Sequence, residues 1–242
     1  MSLVDYNILA SEYAKHRQVH PEVLRRLLDK SGIDISSRVL EVGCGKGNYI
    51  VAVKRSIDCH CWGIDPSEQM LAAARESSLM DIGFKIGSAD ILDFSAEYFD
   101  LVFSVDVIHH MDQHEAFYHE AYRVLRTGGK ICTVTDSEDI IRHRQPLAVY
   151  FPETVEVDLN RYPPLRELRE IINQVGFNDV SQDEVEFTYA LDNIQLYQDK
   201  AFSCLHLISE ESFLRGIEHM QRDIIHRPIT CVPRYALLWA TK

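Results

Sequence analysis

The spacing of apolar residues changes several times along the chain, between the period of a helix and short continuous runs. Apolar residues from Val23 to Leu28 lie three and four positions apart, which predicts a helix that Pro21 begins and Gly32 ends. From residue 38 onward the pattern predicts strands and helices in alternation. The predicted strands are residues 38–42, a run that ends at 65, 83–87, 99–105 and 130–135; the predicted helices are 48–56, 67–76 and 112–125, with a turn at 127–129.

This alternation predicts a parallel sheet that is covered by helices on both faces, with right-handed crossovers between the strands. After residue 140 the pattern predicts a helix at 165–175, a strand at 180–189, a helix at 209–225 capped by Ser209, and a closing strand at 235–241. Residues 190–233 then form a long insertion before the closing strand, and long insertions are often functional lids.

The composition indicates one globular domain and excludes several other classes of protein. Of the 242 residues, 46% are hydrophobic and 26% charged, and no apolar run approaches the length of a membrane span. The net charge of −12 disfavours a protein that grips a nucleic acid backbone. The N-terminus lacks the pattern of a secretory signal, so we expect a cytoplasmic location. The six cysteines are scattered, and we expect neither a disulfide framework nor a metal site at Cys59 and Cys61.

A glycine-rich turn follows the first predicted strand. Residues 41–47 read Glu-Val-Gly-Cys-Gly-Lys-Gly, and glycines let the main chain turn sharply and approach a ligand closely. The dinucleotide-binding fingerprint GxGxxG would need a glycine at position 48, where the chain has Asn48. The acidic Glu41 would also give nothing to a pyrophosphate. A nicotinamide dehydrogenase is therefore the disfavoured alternative for this turn.

Four segments in order carry a resemblance to a known family. They are residues 41–47; Gly-Ile-Asp-Pro-Ser at 63–67, followed by Met70; Ser-Ala-Asp at 88–90; and Phe-Asp-Leu-Val-Phe-Ser at 99–104, followed by Ile-His-His at 108–110. Over about residues 35–136 the chain resembles the class I S-adenosylmethionine-dependent methyltransferases, specifically the type 11 group that includes ubiquinone and menaquinone biosynthesis methyltransferases.

The resemblance implies a fold. We expect an α/β, Rossmann-like, doubly wound sheet of seven mostly parallel strands, with the last strand antiparallel and helices on both faces. A single methyltransferase domain would fill residues 1–242, with an N-terminal helical lid at 1–32, a cofactor-binding core at 33–140 and acceptor-side elements at 141–242.

The resemblance also implies S-adenosyl-L-methionine as cofactor and S-adenosyl-L-homocysteine as product. Asp65 would accept hydrogen bonds from both ribose hydroxyls, Glu41 would favour the ammonium group, and Asp90 would accept from the adenine amine. Asp65 could instead only cap the following helix, Asp90 could be a solvated loop acid, and Met70 and Ile91 are expected as core neighbours that also touch adenine. The full candidate set is Tyr13, Arg17, Glu41, Gly43, Gly45, Asp65, Pro66, Met70, Ala89, Asp90, Ile91, Ser104 and Val105.

Four histidines crowd the segment after the fourth strand: His109, His110, His114 and His119. His110 and His114 are four apart, a spacing that suits a metal, but the HExxH order is absent and the resemblance implies no metal here. His109 is the candidate catalytic residue, as a wall of the methyl-transfer pocket or a general base, and simple packing is the alternative.

Charged and aromatic residues after residue 140 are candidates for binding the acceptor. Arg142, His143 and Arg144 follow the fifth strand, and Arg161 precedes Tyr162. These side chains would hold an anionic acceptor, although a solvated loop is the favoured interpretation. The aromatic candidates, which could equally be ordinary core, are Phe187, Tyr189, Tyr197, Phe202 and Phe213.

The sequence therefore predicts an enzyme that transfers a methyl group from S-adenosylmethionine to a small-molecule acceptor by in-line displacement. Alignment and exclusion of water supply most of the acceleration in such a reaction. A non-catalytic, cofactor-binding regulator and an RNA methyltransferase are the alternatives, and the second lacks a basic stripe. No membrane partner is expected, and the oligomeric state stays open between monomer and homodimer.

Overall fold

The computed structural model describes residues 18–78 and 80–242. The candidates Tyr13 and Arg17, and most of the predicted lid, lie outside these residues. The strands are β1 (Arg38–Val42), β2 (His60–Asp65), β3 (Ile82–Ile86), β4 (Phe99–Val105), β5 (Leu125–Thr135), β6 (Asn178–Glu186), β7 (Tyr189–Leu191), β8 (Ile229–Cys231) and β9 (Arg234–Thr241). The helices are α1 (Pro21–Ser31), α2 (Asn48–Ile57), α3 (Glu68–Ser77), α4 (His114–Val124), α5 (Glu138–His143), α6 (Leu147–Tyr150), α7 (Glu153–Leu159), α8 (Leu165–Val175), α9 (Gln195–Gln198) and α10 (Glu210–His226).

Seven strands form one sheet in the order β3-β2-β1-β4-β5-β9-β6. Strands β1 to β5 pair in parallel, and β9 lies antiparallel between β5 and β6. The predicted fold class is confirmed, including the antiparallel last strand. Because the parallel strands all end at the same edge, the segments that follow β1, β2, β4 and β5 lie side by side there.

Local sequence signals set several helix ends as predicted. Ser67 caps α3, because its hydroxyl accepts a hydrogen bond from the backbone N–H of Met70. Gly32, in the left-handed region at φ 72°, ends α1. Ser209 caps α10 through the N–H of Ser212. These caps orient helices that pack on the sheet.

The sheet has an apolar core on each face. On one face Leu40, Val42 and Val102 pack against α4 and α8, and on the other Val39 and Phe103 pack against α1 and α2. Alternate residues of a strand point to opposite faces, so a fully buried strand must be apolar throughout. Glu41 breaks that rule in the middle of the sheet.

The chain after β5 builds a further core, separate from those of the sheet. Residues of α6, α9, α10 and the two-stranded sheet β7–β8 pack together, with Phe151 and Met220 fully buried among them. The segment 190–233, predicted as a long insertion, thus contains helices and strands that share this core with α6. The same core contains Tyr197 and Phe213, and Phe202 packs on it, so for these three aromatics the core interpretation holds.

Two sequence-based boundaries are wrong. Residues 127–129 do not form a turn before the fifth strand but lie within β5, where the pairing with β4 shifts register between Phe99 and Leu101. The predicted strand at 180–189 is two strands, since β6 ends at Glu186 and β7 belongs to the smaller sheet. Within the described residues, no helix is long and apolar enough to cross a membrane.

Candidate active site

The turn between β1 and α2 needs glycine for two different reasons. Gly43 has φ 71°, and a Cβ there would lie 2.5 Å from a methyl carbon of Val107. Gly45 also has a positive φ, of 53°, but no atom lies within 4 Å of the place where its Cβ would be. Gly43 therefore allows close packing inside the protein, whereas Gly45 leaves backbone exposed to an open space at the edge of the sheet.

Asp65 joins the end of β2 to this turn. One oxygen, Oδ2, accepts a hydrogen bond from the N–H of Gly45 at 2.9 Å, and Oδ1 accepts from the N–H of Ser67 at 2.9 Å. Burial raises the pKa of the Asp65 carboxyl, and the two backbone donors oppose that rise. A carboxylate oxygen can accept a second donor, so both oxygens retain capacity for a ligand. The helix-capping role that the sequence left open is present as well.

Glu41 lies in the middle of the sheet, between Gly63 of β2 and Phe103 of β4. It is buried, and Oε2 accepts a hydrogen bond of 2.8 Å from the N–H of Ile50 in the first turn of α2. Burial raises the pKa of the Glu41 carboxyl well above its ordinary value. The start of a helix carries a partial positive charge, which offsets part of the cost of this buried acid.

The segment after β3 departs from one expectation. Residues 88–91 reverse direction through a bridge between Ser88 and Ile91, and Asp90 lies exposed within the turn. Ile91 is 69% exposed, so the expectation of a core neighbour is wrong for it; the next residue, Leu92, takes the buried position. Met70, at 6% exposure, is buried as expected.

Ser104 and Val105 end β4, and in the loop after them Asp106 and His109 contact Tyr162. Asp106 has φ 57°, and its Oδ1 accepts a hydrogen bond of 2.9 Å from the Tyr162 hydroxyl. The ring of Tyr162 stacks on that of His109, with 4.0 Å between centroids, and His109 Nδ1 lies 3.8 Å from Asp106 Oδ1. The side chain of the candidate catalytic histidine, 2% exposed, is thus packed on an aromatic ring and lies near an acid at the sheet edge.

The other histidines of this segment do not form a metal site. The Nε2 of His114 lies 3.0 Å from the carbonyl oxygen of Ile108, which binds the imidazole back to its own loop, and His119 faces Glu115. Within residues 18–78 and 80–242, no group of three or more His, Cys, Asp or Glu side chains is arranged to hold a metal ion.

The arginines after β5 behave differently from one another. Arg142 and His143 are exposed on α5, but Arg144 and Arg161 are largely buried, with side chains 16% and 8% exposed. Both are ion-paired to carboxylates: Arg144 to Asp136 and Asp158, and Arg161 to Asp158. The favoured interpretation of a solvated loop is therefore wrong for Arg144 and Arg161, because tertiary contacts bury them.

Residues 40–133 match the family model described as a methyltransferase domain. Residues 40–133 are a class I S-adenosylmethionine-dependent methyltransferase domain of the type 11 group. The match covers most of β1 to β5, including the glycine turn, Asp65, Asp90 and the His109 loop. The cofactor of the family is S-adenosylmethionine.

Several relatives of this chain have names that state different acceptors. Phosphoethanolamine N-methyltransferase 1 of Triticum aestivum is 27% identical over 46% of this chain and 23% of its own length. Sterol 24-C-methyltransferase of Debaryomyces hansenii is 33% identical over 43% of this chain and 29% of its own length. Malonyl-[acyl-carrier protein] O-methyltransferase of Enterobacter lignolyticus is 32% identical over 57% of each. The chain thus spans about a quarter to a third of the length of the plant and yeast relatives.

Solved structures share the fold over most of the chain. A protein from an antibiotic biosynthesis pathway of Anabaena variabilis, 21% identical, aligns over 93% of this chain and 99% of its own with a TM-score of 0.74. Phosphoethanolamine N-methyltransferase 2 of Haemonchus contortus, 20% identical, was solved with phosphomonomethylethanolamine and S-adenosylhomocysteine. It aligns over 97% of this chain and 56% of its own with a TM-score of 0.64. At these identities the likeness concerns the fold.

Some predicted site residues of the methyltransferase come together and others do not. Gly45 and Asp65 are in direct contact, and Glu41, Gly43 and Ser104 lie on neighbouring strand ends. The exposed Phe187 and Tyr189 pack on each other at 6.0 Å, outside the buried core to which Tyr197 and Phe213 belong.

Sequence analysis missed Asp106 and Tyr162. Asp106 had a local signal, because it directly follows β4 at the ligand-binding edge of the sheet. Tyr162 had none, since 56 residues separate it from the acid that it contacts. Val107 was also missed; its side chain fills the space that a Cβ on Gly43 would need.

Proposed function

We propose that this methyltransferase binds S-adenosylmethionine across the ends of β1, β2 and β4 and transfers its methyl group to a small-molecule acceptor. The observation that carries the proposal is the Asp65 carboxylate, held by Gly45 N–H and Ser67 N–H beside an open space. Both oxygens keep lone pairs for the two neighbouring hydroxyls of a ribose. The residues present fit the family's cofactor.

The other contacts follow from the chemistry of the ligand. Glu41 contributes negative charge below the glycine turn, where the amino-acid end with its ammonium would lie, and the backbone of Gly43 and Gly45 allows close approach. Ile91 offers an exposed apolar surface to adenine, beside Asp90 as acceptor for its amine. The remaining members of the proposed site are Pro66, Met70, Ala89, Ser104 and Val105, with Tyr13 and Arg17 outside the described residues.

Methyl transfer depends more on the position of the acceptor relative to the methyl group than on reactive side chains. When bound, the cofactor supplies a methyl group on a sulfonium, which is already a good leaving group. The protein then has to align the acceptor and exclude water. His109, held by Asp106 and Tyr162, would accept a proton from an acceptor that carries one on its reacting atom.

A small-molecule acceptor is supported by the net charge of −12, which disfavours a large polyanionic partner. An acidic chain without a basic stripe gives weak support to an RNA acceptor. The names of relatives include a phosphobase, a sterol and a carrier-protein ester as acceptors, so relatedness alone leaves the acceptor open.

Calorimetric titration with S-adenosylmethionine, S-adenosylhomocysteine and NAD tests the cofactor assignment. We expect both sulfur compounds to bind and NAD to give no heat of binding. NAD binding without S-adenosylmethionine binding would overturn the proposal in favour of a dehydrogenase.

Transfer is tested with S-adenosylmethionine labelled on its methyl group and a broad extract of metabolites. We expect label in a small organic product that mass spectrometry can identify, and loss of label transfer in His109→Ala if the acceptor must be deprotonated. Tight cofactor binding with no labelled product would instead favour a cofactor-binding regulator, and label in the RNA fraction would favour an RNA methyltransferase.

A further inference from the structure

Two largely buried arginines lie beside the proposed acceptor position. Arg144 follows α5 near the end of β5, and Arg161 lies next to Tyr162, the residue that contacts His109. A pair of guanidinium groups at such a place would ordinarily indicate recognition of a phosphate or carboxylate. Their hydrogen-bonding partners decide whether they can do so here.

The terminal nitrogens of both guanidinium groups donate to atoms of the protein itself. Arg144 Nη1 donates to Asp136 Oδ2 at 3.1 Å, and its Nη2 donates to Asp158 Oδ2. Arg161 Nη1 donates to Asp158 Oδ1 at 3.0 Å, and its Nη2 donates to Ser203 Oγ at 3.2 Å. Asp158 thus joins the two arginines, one through each oxygen.

The charges within this cluster are matched. Two guanidinium groups meet the two carboxylates of Asp136 and Asp158, and the Asp158 side chain is only 2% exposed. An incoming anion would find the charge of both guanidinium groups already offset, and it would stand against the Asp136 and Asp158 carboxylates, which repel it.

A third carboxylate lies on the same side of the edge. Asp106 accepts from the Tyr162 hydroxyl, and Tyr162 directly follows Arg161 in the chain. A phosphate placed against His109 and Tyr162 would therefore stand near the Asp106 carboxylate, while Arg161, the cation next to Tyr162 in the chain, is already paired with Asp158.

We infer that the acceptor of this methyltransferase is uncharged or cationic at the groups that meet the wall of Arg144, Arg161 and Tyr162, and that the wall excludes phosphorylated acceptors. The inference rests on the proposed function and narrows it. It separates this chain from the relatives whose names specify phosphoethanolamine.

Calorimetry on the full chain saturated with S-adenosylhomocysteine tests the wall directly, with inorganic phosphate and phosphoethanolamine as probes. We expect no binding by the wild-type protein tighter than about 1 mM. Asp158→Asn removes the carboxylate shared by both arginines, and we expect at least a tenfold gain in phosphate affinity. Binding of either probe by the wild-type protein below that limit would overturn the inference.

Two further variants keep the test decisive. Asp136→Asn releases only Arg144 and leaves the Asp158 bridge in place, so it serves if Asp158→Asn does not fold; a folded variant without any gain contradicts the role of the carboxylates. Arg166→Gln, on the exposed face of α8 with 82% exposure, is the matched control and should leave phosphate binding unchanged.

The labelled products of an extract provide a second test. When they are treated with a phosphatase and then separated on an anion exchanger at neutral pH, we expect the elution of the label to be the same as without phosphatase. A phosphatase-dependent shift of the label would show a phosphorylated product and overturn the inference. An absence of S-adenosylhomocysteine binding, or of label in any fraction, would instead count against the proposed function. A phosphate titration of the unliganded chain would still measure whether Arg144 and Arg161 bind phosphate.

Discussion

Single acidic residues at the strand ends carry most of the proposed cofactor site. Asp65 and Glu41 are both buried, and burial raises the pKa of each carboxyl. Each is held by backbone N–H donors rather than by a cation, Asp65 by Gly45 and Ser67, Glu41 by Ile50. Burial without a protein cation disfavours the charged form of each acid and costs the unliganded protein stability, and a cationic ligand would offset part of that cost.

Replacement of Asp65 tests this at one position. In Asp65→Asn the NH2 group of the amide would face one of the two backbone N–H groups that now donate to the carboxylate. The negative charge that favours the ribose hydroxyls would also be lost. We expect affinity for S-adenosylhomocysteine to fall by about 1.5–3 kcal/mol, which calorimetry measures. Asp93→Asn, at an exposed acid paired with Lys85, is the control and should bind normally. Equal affinity in the two variants would remove Asp65 from the site.

Glu41→Gln should raise the stability of the unliganded protein at neutral pH and weaken cofactor binding. The raised folded-state pKa means that the folded protein holds this proton more tightly than the unfolded chain, so stability falls as pH rises. The loss begins near the ordinary pKa of about 4.3 and is complete above the raised pKa of the folded state. We therefore expect Glu41→Gln, without cofactor, to match the wild type at pH values below that range and to exceed it at neutral pH.

Urea unfolding at a series of pH values measures this difference, and calorimetry should show weaker cofactor binding by the same variant. Gln retains an oxygen for the N–H of Ile50, so the start of α2 stays capped. A variant less stable than the wild type at neutral pH would contradict the prediction.

At the scale of elements, the turn from β1 to α2 combines a left-handed backbone conformation, which suits glycine, with close packing. Gly43 and Gly128 both have positive φ, 71° and 79°, but only Gly43 has a neighbour in the way of a Cβ. The two positions therefore allow backbone strain to be separated from collision with Val107.

We expect Gly128→Ala to cost about 1–2 kcal/mol of unfolding free energy, from left-handed backbone strain alone. Gly43→Ala should cost about 1–3 kcal/mol more, because the methyl group collides with Val107, and should also weaken cofactor binding. Chemical denaturation measures both. The double variant Gly43→Ala with Val107→Ala should regain part of the lost unfolding free energy. Equal losses for Gly43→Ala and Gly128→Ala would contradict a cost from the collision with Val107.

At the scale of the whole molecule, buried ion pairs connect the sheet to the core that follows it. Asp136 directly follows β5, Asp158 lies in α7, and Ser203 lies between α9 and α10. Arg144 and Arg161 bridge these elements. The core formed by α6, α9, α10, β7 and β8 should therefore unfold together with the sheet.

Removal of Arg144 tests this connection. Arg144→Gln leaves Asp136 and part of Asp158 buried without that counter-charge, and we expect a loss of about 3–5 kcal/mol in urea unfolding. Arg166→Gln, on the surface, should change stability by less than about 0.5 kcal/mol. A similar small effect for both variants would mean that the bridge contributes nothing to stability.

The sequence by itself determined the features that arise from local patterns. Apolar runs and caps such as Ser67 predicted the order and type of the elements of residues 38–135, apart from the start of β5, because backbone propensity and periodicity act over a few neighbours. The ordered motifs around Glu41, Asp65 and His109 likewise indicated the family that the domain match confirms.

Tertiary structure alone decided which distant residues meet. Nothing next to Arg144 in the chain marks it as buried, since its carboxylates, Asp136 and Asp158, lie 8 and 14 residues away. Tyr162 reaches Asp106 only because the segment after α7 returns to the end of β4. Ile91 is exposed because its turn presents Leu92 to the core instead. Local patterns fix which elements form, whereas burial and charge pairing depend on contacts between elements far apart in the chain.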